Sequence, residues 1–118
     1  SRIPDPQIAK TDAANSCTDF LGGWAGKYSI GREVKIRVLE VEGNGGRCDA
    51  KVVYDYGPWN GRTGGTINTS AKINGNTIEI VLTDSKATFS ISGDQLSGSW
   101  KPIARGEPIP ATLTRVVR

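Results

Sequence analysis

The amino-acid sequence predicts an all-β chain: a small eight-stranded antiparallel up-and-down β-barrel with an extended N-terminal arm. Three observations predict it. From Gly31 onward, apolar residues recur at every second position and no helical period is sustained. Short clusters of Gly, Asn, Asp and Ser separate the runs. An open meander this long would leave two unpaired edges, which closure removes.

Residues 1–16 carry Pro4, Asp5, Pro6, Asp12, Asn15 and Ser16 without an apolar period. They read as the arm, with a short helical turn around Lys10 to Asn15. Residues 17–118 form the single barrel domain. Its first strand spans Trp24 to Ile30. In the second, Val34, Ile36 and Val38 face one way and Lys35 and Arg37 the other, before Leu39 and Val41 take over the apolar role. That change of phase predicts a β-bulge near Val38-Leu39. Gly43-Asn44-Gly45-Gly46 makes a hairpin connection. Cys48, Ala50, Val52, Tyr54 and Tyr56 line one face of the third strand. A long turn-rich loop follows, from Gly57 to Gly65. The fourth strand carries Ile67, Thr69, Ala71 and Ile73, and the fifth Ile78, Ile80 and Leu82. Ala87, Phe89 and Ile91 mark the sixth, and Leu96, Gly98 and Trp100 the seventh. Ile109, Ala111, Leu113, Arg115 and Val117 close the chain. The segments around Asn74-Gly75-Asn76 and Ser92-Gly93-Asp94 echo one another as two hairpins of one type.

Composition narrows the function. The chain has no histidine, the commonest general base and metal ligand. Ser-His-Asp and Cys-His catalysis and His-based zinc sites are therefore ruled out. Asp55, Asp84, Asp94 and Glu107 are isolated acids, mostly where turns favour Asp, and nothing marks the fixed pair a glycosidase needs. The glycine clusters lack the strand-turn-helix setting of a phosphate cradle. The expectation is a non-enzymatic protein without cofactor or metal. The net charge of +3 comes from scattered Lys and Arg, unlike the concentrated patch of a nucleic-acid binder. No run of about 18 apolar residues is present, so no membrane span is expected. Two cysteines, Cys17 and Cys48, are an even count that fits an extracytoplasmic disulfide, against the alternative of two unrelated thiols. Such a bridge implies a secreted or periplasmic location.

The richest candidate site is Tyr54-Asp55-Tyr56-Gly57-Pro58-Trp59-Asn60-Gly61-Arg62. Aromatic faces stack on sugar rings or planar ligands, and nearby amide and charged groups give directional hydrogen bonds. Tyr54 is assigned to the core. Tyr56, Trp59, Asn60 and Arg62 are candidate ligand contacts, with Trp100 at a barrel mouth beside the space that Gly98 leaves. Each aromatic has a plainer reading as core.

The segment Phe20-Leu21-Gly22-Gly23-Trp24-Ala25-Gly26-Lys27-Tyr28, with Leu113-Thr114-Arg115-Val116, resembles the calycin superfamily. Its members include lipocalins, fatty-acid-binding proteins, avidins and bacterial metalloprotease inhibitors. The shared pattern is a short helical turn leading into Gly-x-Trp, with a basic residue of the last strand packed across that Trp. The resemblance implies that Arg115 lies over Trp24 and closes one end. The alternation agrees: Arg115 is in phase with Ala111 and Leu113, and an inward Arg requires a ring face and backbone acceptors. The chain is short for a lipocalin, and no avidin biotin pattern maps onto it.

The expected function is a binding module for a small-molecule or carbohydrate ligand at one barrel mouth. The alternative is a protein partner, engaged as in a protease inhibitor through residues 1–16, or an accessory role within a larger protein.

Overall fold

The computed structural model describes residues 17–104 and 106–117, apart from the side chains of Asn44 and Val117. The expected arm, its helical turn, Arg105 and Arg118 lie outside the described residues. A 3-10 turn, Cys17–Phe20, leads into eight strands: β1 (Gly22–Tyr28), β2 (Glu33–Asn44), β3 (Arg47–Tyr56), β4 (Gly65–Asn74), β5 (Thr77–Val81), β6 (Ser85–Ser92), β7 (Gln95–Pro102) and β8 (Ile109–Val117). Each pairs antiparallel with its chain neighbours, and β1 pairs with β8, closing the barrel. Among the described residues no helix is long and apolar enough to cross a membrane.

The alternation of residue types decides which side chains fill the interior. Trp24, Val34, Ile36, Val52, Tyr54, Ile73, Ile78, Ile80, Phe89, Leu96 and Leu113 are almost completely buried. Most of their outward neighbours are polar, and several pair across strands: Lys72 with Asp49, Lys86 with Glu79, and Lys51 with Glu40. These exposed pairs contribute little to stability. Glycine shapes the wall at two points. A Cβ on Gly26 would sit 1.9 Å from the Thr112 carbonyl oxygen, and one on Gly98 would sit 1.8 Å from that of Thr88. At both positions the neighbouring backbone occupies the space of a side chain. Gly98 thus serves close strand approach rather than leaving interior room.

Two sequence expectations need correction. The first strand begins at Gly22, not Trp24, and ends at Tyr28. The bulge lies where the phase change placed it, with the β2–β3 register slipping between Val38 and Glu40. However, it is Leu39 that the slip expels, leaving it 56% exposed, while Val41 packs against the core. A second irregularity, where Gly23 pairs with Val117 and Trp24 with Arg115, leaves Val116 exposed in the same way.

The two ends of the barrel differ. One is capped by the 3-10 turn. Arg115, its side chain only 8% exposed, stacks over Trp24 with its guanidinium carbon 4.2 Å from the ring centroid. Its Nη1 donates to the Leu21 carbonyl at 2.9 Å, its Nη2 to the Asp19 carbonyl at 2.7 Å, and its Nε to Asp94 Oδ1 at 2.7 Å. The Trp24 indole donates to the Phe20 carbonyl at 2.9 Å. The Cys17–Cys48 disulfide ties the cap to β3. The tight turns at this end also bond to their neighbours: Gly75 N–H to the Gly46 carbonyl, Ile91 N–H to that of Asn76, and Arg115 N–H to that of Asp94.

Replacing Arg115 with Met should strand two partly buried carbonyls and cost about 3 kcal/mol, read as a lowered urea midpoint. Reducing the disulfide, which closes a separation of 31 residues, should cost about 3–4 kcal/mol. Gly98→Ala should destabilise by about 2 kcal/mol or more, because the strand has to move aside.

Candidate ligand site at the open mouth

In an up-and-down barrel the odd-numbered strands run the same way, so their C-terminal ends meet at one mouth. Here those ends carry Tyr28 on β1, Tyr54 and Tyr56 on β3, and Trp100 on β7. The connections at this end, residues 29–32, 57–64, 82–84 and 103–108, are longer than those at the capped end. The wall is also incomplete. β5 pairs only with Ala71 to Asn74 of β4, so the mouth-side half of β4 has no ladder on that side. A bond from the Thr69 hydroxyl to the Val81 carbonyl, 2.9 Å, secures the junction.

The mouth encloses a cavity of about 400 Å³, within the range of small-molecule sites. All three tyrosines of the chain, Tyr28, Tyr54 and Tyr56, contribute to its lining. The Tyr28 and Tyr54 hydroxyls hydrogen-bond to each other. The Tyr28 ring meets Trp100 edge-on, centroids 6.5 Å apart. The Trp100 indole in turn donates to Ser85 Oγ at 2.8 Å, which accounts for the one buried polar residue among the described core positions. Ile30, Ile67, Leu82 and Ile109 supply apolar wall.

Charge enters from two arginines and one acid, Arg32, Arg62 and Asp84. Arg32 is held in place: its Nε donates to the Gly57 carbonyl at 2.7 Å, and its guanidinium carbon lies 4.8 Å from the Tyr56 ring centroid. Tyr56 reaches that position because residue 65 is glycine; a Cβ there would stand 2.6 Å from the tyrosine hydroxyl. Burial pushes the Tyr28 hydroxyl above its ordinary pKa, with the nearby Arg32 charge acting weakly in the opposite direction.

Of the residues singled out in the sequence, the structure brings Tyr56, Arg62 and Trp100 together at this mouth. Trp59 and Asn60 are not part of its lining. Trp59 pairs with Arg62 through reciprocal backbone bonds of 3.0 and 2.9 Å. Between them Asn60 and Gly61 have φ values of 51° and 78°, the turn that Asn-Gly favours. Asn60 is explained by this turn geometry, and Trp59 is 38% exposed on its flank. Tyr28, Arg32, Tyr54 and Ser85 were not among the candidate contacts. Tyr28 and Tyr54 could have been found by projecting the strand ends onto one mouth, and Arg32 by adding the β1–β2 connection. Ser85 carries no signal beyond its place in a turn.

Among the described residues no cluster of three or more His, Cys, Asp or Glu could hold a metal ion. No protein-family model matches the chain, and no curated protein matches it in sequence.

The raised Tyr28 pKa fixes the sign of an alkaline effect. The unfolded chain loses this proton first, so above the unfolded value the native state binds more protons and stability falls as pH rises. The urea midpoint should decline above about pH 10, and less steeply in Tyr28→Phe.

Proposed function

We propose that the chain is a non-enzymatic binding module that takes one small ligand at the open mouth of its barrel. The observation that carries this reading is the inequality of the two ends. One is filled by Phe20, Trp24 and Arg115 beneath a disulfide-bonded cap. The other keeps a cavity of about 400 Å³ into which aromatic, hydroxyl and guanidinium groups converge. A fold that needed only stability could fill both ends with packed side chains. Convergent polar groups in an aromatic recess are what orient a bound molecule.

The closed eight-stranded meander and the Trp24–Arg115 stack support placing the chain among the calycin-type barrels. The disulfide supports an exported protein, secreted or periplasmic, since such bridges persist in oxidising compartments. Cyclic ligands, sugars included, suit the Tyr56 and Trp100 faces.

Trp100 makes the proposal measurable. In a Trp59→Phe background, a cyclic ligand at the mouth should change the tryptophan emission through Trp100 and raise the melting temperature by mass action. Trp100→Phe should abolish the emission change. Emission changes that survive Trp100→Phe would place binding elsewhere and remove the mouth as the site.

A further inference from the structure

Building on the mouth as the binding site, we infer that its ligand is a small aromatic or alicyclic monocarboxylate. The carboxylate lies against the Tyr28–Tyr54 hydroxyl pair and Arg32, and the ring lies toward Trp100 and the apolar wall.

The first argument is a count of protons. Two tyrosine hydroxyls joined by one hydrogen bond use one of their two protons on each other. Among the described residues the second proton has no acceptor. Ser85 Oγ accepts the Trp100 indole, and its own proton likewise has none. Tyr28, Tyr54 and Ser85 are all buried. Two buried O–H donors at one cavity therefore face the ligand space without an acceptor from the protein, an arrangement that native interiors avoid unless something else accepts. The complementary ligand group is rich in acceptors.

The second argument is charge. Arg32 is anchored through Nε and by its stack on Tyr56. Among the described residues its two terminal nitrogens have no acceptor, and they form the fork that matches a carboxylate. Among the described lining residues Arg62 adds a second cation, and Asp84 is the single acid. The surplus is one positive charge, which suits a monoanion and disfavours cations. Burial raises the Tyr28 pKa further above neutrality, so this hydroxyl stays uncharged into the alkaline range and does not repel an anion.

The third argument concerns the rest of the ligand. Ile30, Ile67, Leu82, Ile109 and the Trp100 ring leave an apolar lining above the polar pocket. A cavity of about 400 Å³ accepts a compact ring system whose body is apolar and whose one end is charged.

The test compares acids with their amides, which keep the shape and remove the charge. Benzoate with benzamide, and 2-naphthoate with 2-naphthamide, are titrated calorimetrically against the whole protein. The acids should bind at least about tenfold tighter than the amides and weaken as salt is raised. Arg62→Met, at an exposed position, and Arg32→Met should each lower acid affinity about tenfold or more and leave the amides nearly unchanged. Arg32→Lys should restore part of the loss seen in Arg32→Met, separating charge from packing. Equal binding of acid and amide, with Trp100 still reporting it, overturns the carboxylate inference and leaves the mouth reading standing. Binding that is indifferent to Trp100→Phe, or no binding by any member of either pair, overturns both.

Discussion

The guanidinium of Arg115 over the ring of Trp24 organises the whole barrel. It is a charge almost out of water, and such a group is tolerated only when its donors are used. Each of its nitrogens has a partner, two on the backbone of the 3-10 turn and the next residue, one on Asp94. This joins four parts of the chain: the cap, β1, the β6–β7 turn and β8. Because the stack lies on the β1–β8 seam, it locks the two terminal strands where the barrel closes. The disulfide then binds the same cap to β3. One end is thereby committed to structure, and the features that could contact a ligand are left to the other.

That division explains the distribution of residue types along each strand. Near the cap, Trp24 and Arg115 fill the interior together with Phe20 and the aliphatic strand residues. Toward the mouth the inward positions become Tyr28, Tyr54, Tyr56 and Trp100, side chains with an apolar body and a polar tip. Their rings continue the core upward, and their polar atoms bond to one another or face the cavity. The long connections contribute the charges. Glycine at position 65 admits the Tyr56 ring, and that ring carries Arg32. The site is thus assembled from strand ends held by pairing, with Arg32 fixed through the Gly57 carbonyl.

Much of this was legible in the sequence, for identifiable reasons. Period-two alternation named the inward residues of β3 to β8, and the inward phase of Arg115 demanded the partner that Trp24 supplies. The change of phase at Val38-Leu39 located the bulge. It could not show that Leu39 would be the expelled residue, because hydrophobicity alone favours burying a leucine, and register against β3 decides otherwise. The sequence starts the first strand at Trp24, yet pairing with β2 begins it at Gly22. At the site, Tyr56, Arg62 and Trp100 were visible as aromatics and a cation near turns. Tyr28 and Tyr54 were hidden by sharing the alternation of the core. Trp59 and Asn60 attracted attention as loop residues, but the local turn accounts for Asn60 and neither lines the cavity.

Two of the three indole N–H groups stand at opposite ends of the barrel, Trp24 bonded to the Phe20 carbonyl and Trp100 to Ser85. Proton–nitrogen correlation spectra of the labelled protein, recorded while 2-naphthoate is added, test the account most directly. If the mouth is the site, the Trp100 indole resonance shifts with saturation, together with the backbone amides of Tyr28, Arg32 and Tyr56, and the Trp24 indole stays in place. Saturable shifts confined to the Trp24 indole and the cap, with Trp100 unmoved, would contradict it.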